Sequence, residues 1–108
     1  MADSFKYNYK ILKLLEKSME YEEFDPSIIG YKKLEISKAL WTNLIIILLD
    51  ARYITGVVVE SALDGTLPDI DCSNISITLK GLEYLEENSL MRKAANIAKG
   101  IKDVTPFI

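Results

Sequence analysis

Few residues of this chain could carry catalytic chemistry. The 108 residues include no histidine and a single cysteine, Cys72. Histidine is the commonest general base and side-chain metal ligand, and none is present to activate the thiol. One cysteine also falls short of a zinc ligand set. We therefore expect no enzyme, no metal site and no cofactor, and we expect Cys72 to pack as a small apolar side chain.

A second group of polar residues lies in the acidic stretch "DGTLPDID", which contains Asp64, Asp69 and Asp71. Their spacing differs from that of a calcium-binding loop, and the terminal glutamate of such a loop is missing. Asp64, Gly65 and Pro68 are instead turn-forming residues. The stretch therefore favours a solvated turn over a metal site.

A row of lysines follows helical spacing near the start of the chain. Apolar residues of "FKYNYKILKLLEKSMEY" recur at helical intervals, which predicts a helix over 3–21 that begins at Asp3 or Ser4. The lysines fall on the opposite side of this helix: Lys6, Lys10, Lys13 and Lys17. Such a row is typical of a solvated face, and the alternative is contact with nucleic-acid phosphates.

Two further helices are predicted before the middle of the chain. Asp25 and the following proline begin a short helix over 26–30. Ser37 caps a longer helix over 38–51, which contains the run "LIIILLD". This run is too short to cross a bilayer, which needs about 20 apolar residues, so we expect no membrane span.

The apolar residues of the long helix do not share one face. Helical spacing assigns a core-facing set with Trp41 at its edge: Leu40, Leu44, Ile47, Leu48 and Ala51. Ile45, Ile46 and Leu49 then point away from the core. Either a partner or the C-terminal helix must cover them. The candidates for a partner interface are therefore Trp41, Ile45, Ile46 and Leu49.

The second half of the chain predicts a hairpin followed by helices. β-Branched and aromatic residues indicate strands over 54–60 and 73–78, joined by a long tip. Thr78 can cap a helix over 79–88, and a final amphipathic helix is predicted over 90–102.

The order of these elements is that of a winged helix-turn-helix with a two-stranded wing hairpin and additional C-terminal helices. The fold class is therefore α+β and mostly helical. Residues 1–108 are long enough for one domain with its own core, and 49% of them are hydrophobic. The start of the chain lacks the apolar core of a signal peptide, which together with the lone cysteine favours the cytoplasm.

Several segments together resemble the YjcQ family of small proteins from bacteria, phages and prophages. They are "EIS" followed by "LW" in the long helix, then "RYITG", and then "ITLKGLEYLEENSLMRKA" from Ile77 to Ala94. The similarity extends roughly from Phe5 to Lys102 and implies a winged-helix fold in a bacterial host cell. That family usually has a glycine at the position of Arg52, and a left-handed backbone there would cost a non-glycine residue about 1 kcal/mol. The resemblance implies no catalytic residue, ligand or substrate.

A winged helix can bind DNA or another protein. The chain has a net charge of −3, and the hairpin from Glu60 to Asp71 contains four acids and no base, which a phosphate backbone would repel. Base-reading candidates are Lys38, Thr42 and Asn43, supported by the lysines of the first helix. We favour a protein-interaction or dimerisation module, with a homodimer or a host or phage protein as partner. The alternatives are a DNA-binding transcriptional regulator and an acidic phage protein that inhibits a host factor.

Overall fold

Helices precede and follow a long β-hairpin in this chain. A computed structural model describes the backbone of residues 4–98 and the side chains of residues 4–89. The helical elements are α1 (Ser4–Ser18), a 3₁₀ turn (Pro26–Ile29), α2 (Tyr31–Leu34), α3 (Lys38–Asp50) and α4 (Leu79–Ala98). Within these residues, no helix is both long and apolar enough to span a membrane.

The hairpin consists of two short antiparallel ribbons in series. The inner ribbon pairs β1 (Ile54–Thr55) with β4 (Ser76–Ile77). The outer ribbon pairs β2 (Val58–Glu60) with β3 (Asp69–Asp71). A hairpin with a long tip was predicted over 54–60 and 73–78, and a hairpin is present, but both arms are interrupted. The second arm also begins earlier than predicted, because β3 (Asp69–Asp71) lies in the segment assigned to the tip.

Gly56 accounts for one of these interruptions. Its φ is +79°, in the region that favours glycine, and a Cβ atom at this position would overlap the carbonyl group of Asn74 on the opposite arm. The two arms therefore approach too closely for a side chain at this point, and regular pairing resumes beyond it.

The hydrophobic core lies between α1, α3, the inner ribbon and the start of α4. The N-terminal helix α1 packs against α3, α4, β4 and the 3₁₀ turn. Trp41 fixes α3 against the 3₁₀ turn, because its indole Nε1 donates to the Ile29 carbonyl oxygen at 2.7 Å. The core cluster comprises Ile11, Leu12, Leu15, Ile29, Leu34, Trp41, Ile45, Leu48, Ile54, Cys72, Ile75, Ile77 and Leu85.

Side-chain caps begin three of the helical elements, as the sequence predicts for Asp25, Ser37 and Thr78. Asp25 Oδ1 accepts from the N–H of Ser27 at 3.0 Å, and Ser37 Oγ accepts from the N–H of Leu40 at 3.1 Å. These bonds satisfy N–H groups that have no partner within the helix. The helix predicted over 3–21 ends earlier, at Ser18, and the alternative start at Asp3 lies outside the described residues.

Thr78 connects three elements at one point, which we call the Thr78 junction. Its Oγ1 accepts from the N–H of Gly81 at 3.1 Å and donates to the Arg52 carbonyl oxygen at 2.7 Å. Its own N–H donates to the Tyr53 carbonyl oxygen at 3.0 Å. The rings of Tyr53 and Tyr84 lie 4.9 Å apart, centre to centre, beside these bonds. The junction therefore ties the end of α3 to the end of the hairpin and the first turn of α4.

Two helices over 79–88 and 90–102 were predicted after the hairpin, and this division is wrong. The structure has one continuous helix, α4, as far as Ala98; residues 99–102 lie outside the described range. Asn88 lies at the predicted division, and its Nδ2 donates to the Tyr84 carbonyl oxygen at 2.8 Å within the helix. No glycine or proline lies between Gly81 and Ala98 to end it.

The helix α3 ends in a Schellman motif that has arginine in the usual glycine position. The N–H of Tyr53 donates to the Leu48 carbonyl oxygen, and the N–H of Arg52 donates to that of Leu49, both at 3.0 Å. Arg52 has φ of +68°, in the left-handed region. The sequence therefore located the helix end correctly, and Arg52 carries the backbone strain.

We expect Arg52→Gly to be more stable than the matched variant Arg52→Ala by about 1 kcal/mol. Both variants remove the guanidinium group, but only glycine relieves the left-handed strain. Urea unfolding of the two proteins measures the difference. Equal midpoints would show that the native backbone at residue 52 is unstrained.

We expect Gly81→Ala to destabilise the protein by about 1–3 kcal/mol, because the new Cβ would overlap the Tyr53 carbonyl oxygen. In an ordinary helix the same change stabilises the protein by about 1 kcal/mol. The sign of the change in the free energy of unfolding therefore distinguishes the two cases. Chemical denaturation provides the measurement, and Glu86→Ala at an exposed position of the same helix is the control. A gain in stability for Gly81→Ala would contradict the close approach at the Thr78 junction.

Candidate functional site

The core-facing side of α3 is rotated from the predicted one: Leu44 and Leu48 are buried as predicted, but two isoleucines are exchanged. Ile45 was predicted to point outward, but it is 0% exposed and belongs to the core cluster. Ile47 was predicted to face the core, but it is 53% exposed. The apolar residues cover most of the helix circumference, so spacing alone does not define its inner face. The Trp41 hydrogen bond to the 3₁₀ turn selects the side that contains Trp41, Ile45 and Leu48.

The four predicted interface residues therefore do not form an exposed apolar surface. Trp41 and Ile45 are buried, Ile46 and Leu49 are half-buried, and Leu49 packs against the core. The side of α3 on which they lie packs against other elements of the same chain, among which are α1, α2 and β1.

Of the three predicted base-reading residues, Lys38 and Asn43 are exposed but Thr42 is not. Thr42 is 0% exposed, and its Oγ1 has no hydrogen-bond partner. A residue buried against the core cannot reach a base edge in a DNA groove. The prediction that Thr42 reads bases is therefore wrong, and the exposed face of α3 also includes Ala39, Ile47 and Asp50.

The four lysines of α1 are exposed together along the helix, and we call them the lysine row: Lys6, Lys10, Lys13 and Lys17. Lys13 Nζ lies 2.9 Å from Glu16 Oε1, which raises the pKa of the lysine through that hydrogen bond. A shallow depression of about 240 Å³ lies along the row, lined by Lys6, Tyr9, Lys10 and Lys13. Lysine stems and a tyrosine ring give this depression an apolar lining with charged groups at its rim.

The outer ribbon has an exposed face of opposite charge. Register pairs Val58 with Asp71 and Glu60 with Asp69, so these four side chains lie on the same face of the ribbon. All four are exposed, and Val58 is 53% exposed. We call this set the acidic face. The opposite face, with Val59 and Ile70, is half-buried.

The acidic face contains a pair of like charges with no base beside it. Glu60 and Asp69 are direct cross-strand partners, and like charges in such positions destabilise a sheet. No lysine or arginine occurs from Tyr53 to Leu79. The ribbon therefore keeps a local repulsion that its own residues do not relieve.

Local hydrogen bonds keep two of the hairpin acids ionised. Asp71 Oδ1 accepts from the Ser73 hydroxyl at 2.6 Å and from its N–H at 2.9 Å, and these bonds lower the pKa of the carboxyl group. Thr66 does the same for Asp64 at 2.8 and 3.1 Å, again lowering its pKa. The negative charges of Asp64 and Asp71 therefore persist to lower pH than that of an ordinary aspartate.

Cys72 packs in the core, as predicted. Burial, together with the neighbouring Asp71 charge, raises the pKa of its thiol to about 11. The thiol is consequently protonated at neutral pH and is a poor nucleophile. In the part of the chain that the structure describes, no group of three or more His, Cys, Asp or Glu residues is placed to hold a metal ion.

Sequence reasoning identified the charges of the hairpin but missed the face on which they lie. The strand alternation of "VVE" and "DID" places Val58 with Glu60, and Asp69 with Asp71. The register alone decides whether these two pairs lie on the same face of the ribbon. A shift of one residue would move the side chains of one strand to the opposite face. The acidic face therefore could not be predicted from the sequence without knowing how the strands pair.

The arrangement of α1, α2, α3 and the hairpin defines a mostly helical α+β protein of winged-helix-like architecture. Residues 9–104 match the YjcQ protein family, and the chain belongs to that family. A search of curated proteins gives no match, and neither does a search of solved structures.

The orientation of α3 predicts opposite effects for two neighbouring isoleucines. We expect Ile45→Ala to cost about 2–4 kcal/mol, because it leaves a cavity in the core. Ile47→Ala, the matched variant on the same helix, should change the free energy of unfolding by less than about 0.5 kcal/mol. Denaturant titration of both proteins measures this contrast, and the reverse order would restore the sequence-based orientation.

Proposed function

We propose that this protein is a non-enzymatic protein-interaction module whose hairpin provides the binding surface. The observation that carries this proposal is the acidic face of the outer ribbon, where three carboxylates surround an exposed valine. Apolar side chains with a charged surround are typical of protein interfaces.

The tip of the hairpin exposes further apolar side chains. Leu63 is fully exposed, and Leu67 is 40% exposed. Exposed apolar residues are common when they occur singly. Here three exposed apolar residues, Val58, Leu63 and Leu67, lie on one hairpin, which supports a binding role for that hairpin.

Electrostatics supports a protein partner over DNA. A DNA-binding wing usually places lysine or arginine beside the phosphate backbone. The charged residues of this hairpin are all acids, so its charge has the same sign as a phosphate backbone. On the helix that would enter the major groove, Thr42 is buried and the exposed residues include an alanine and an isoleucine. Lys38 and Asn43 alone provide few base contacts.

A non-enzymatic role agrees with the side-chain chemistry. The sequence has no histidine, and the pKa of the Cys72 thiol is raised to about 11. Neither the commonest general base nor a reactive thiolate is therefore available at neutral pH.

We expect no salt-sensitive complex with double-stranded DNA. A fluorescently labelled duplex of random sequence, and a second duplex from the region flanking the gene, are titrated with the protein at low ionic strength. Anisotropy should stay at the value of free DNA into the micromolar range. Binding that weakens steeply with salt and is lost in Lys38→Ala would support the DNA-binding alternative instead.

A capture experiment tests the interaction role directly. The immobilised native chain should retain a protein from bacterial lysate, or a second copy of itself, and Glu60→Lys/Asp69→Lys should lose it. Glu22→Lys/Glu23→Lys has the same charge change at two exposed positions outside the hairpin and should retain it. If the native chain retains no protein and does not self-associate, the proposed function is wrong.

A further inference from the structure

The chain carries two exposed surfaces of opposite charge, each with an apolar part. The acidic face has Val58 among carboxylates, and the lysine row has a shallow apolar depression among ammonium groups. Each surface therefore has an apolar centre and a charged surround, with opposite signs.

The spacing of the charges on the two surfaces also agrees. Direct cross-strand partners have Cβ atoms about 4.5–5.5 Å apart, which applies to Glu60 and Asp69. Lysines three or four residues apart on a helix rise by about 4.5–6 Å, which applies to Lys6, Lys10 and Lys13. Long, flexible lysine side chains can span the remaining difference.

We propose that the acidic face of one copy docks on the lysine row of a second copy. This inference rests on the proposed function and names the partner. Val58 enters the depression between Lys6, Lys10 and Lys13. The ammonium groups of Lys6 and Lys10 then lie against Glu60 and Asp69, and they relieve the repulsion between these two carboxylates; Lys13 keeps its ion pair with Glu16.

A second copy of the chain can bind the acidic face because its lysine row carries the complementary positive charges. Within one chain the acidic face is exposed, so it does not bind its own lysine row. If each copy offers its acidic face to the other, the two contacts are equivalent and close a two-fold dimer. The contacts are mainly between exposed charges, so salt should weaken the dimer.

Sedimentation equilibrium of the native chain at low ionic strength should give a mass near twice the monomer mass of 12.2 kDa. Added salt should shift the mass towards the monomer. Lys6→Glu/Lys10→Glu and Glu60→Lys/Asp69→Lys should each be monomeric at low salt. Lys32→Glu/Lys33→Glu changes the charge by the same amount as the first variant, at exposed positions on α2, and should remain dimeric.

Mixing the two monomeric variants provides the decisive measurement. One contact of the mixed pair would join two unchanged surfaces, and the other would join two surfaces with reversed charges. The mixture should therefore recover the dimer mass, whereas neither variant does so alone. Circular dichroism and the unfolding midpoint of each variant establish that it is folded.

A native chain that stays monomeric at low salt would overturn the inference, and so would a dimer that persists in both charge-reversal variants. A mixture that stays monomeric also contradicts it. These failures are separate from failure of the proposed function. A monomer that still captures another protein through Glu60 and Asp69 would retain the interaction role and exclude the second copy as partner.

Discussion

The architecture depends on the Thr78 junction, where one threonine satisfies backbone groups from three elements. Its hydroxyl caps α4 through the Gly81 N–H and donates to Arg52, while its N–H donates to Tyr53. Gly81 permits this because a Cβ atom would overlap the Tyr53 carbonyl oxygen. The bonds join residues 26 positions apart, so they fix how the hairpin leaves α3 and returns to α4. The direction in which the outer ribbon projects follows from that geometry.

The junction lies between a strained backbone position at the end of α3 and a repulsive charge pair on the outer ribbon. Arg52 holds a left-handed backbone that glycine would adopt without cost, which weakens the end of α3 by about 1 kcal/mol. The outer ribbon keeps Glu60 opposite Asp69. Val57 and Ile70 anchor the ribbon to the core, and so its acidic face adds nothing to the packing of the monomer. An unfavourable charge pair on a surface that the fold does not need is consistent with a role in binding.

Sequence reasoning was most reliable where one side chain determines a local structure. Asp25, Ser37 and Thr78 identified their helix starts because each cap forms a specific bond to nearby N–H groups. It was wrong where several arrangements satisfy the same pattern. Ile45 and Ile47 are both apolar on a helix that is apolar almost all round, and a distant contact between Trp41 and Ile29 decides between them. The acidic face likewise depends on strand register, which no single residue specifies.

The burial of Ile45 changes where an interaction surface can lie. An apolar helix face would have implied a large dry interface, such as those of obligate dimers. With that face inside the monomer, exposed apolar side chains such as Phe5, Tyr21 and Leu79 remain elsewhere. The proposed binding surface has a single exposed valine among carboxylates. Interfaces of this kind gain specificity and association rate from charge complementarity more than they gain affinity. The core cluster of the described residues forms within one chain, so an association through the acidic face and the lysine row would need no permanent partner and would be reversible and salt-sensitive.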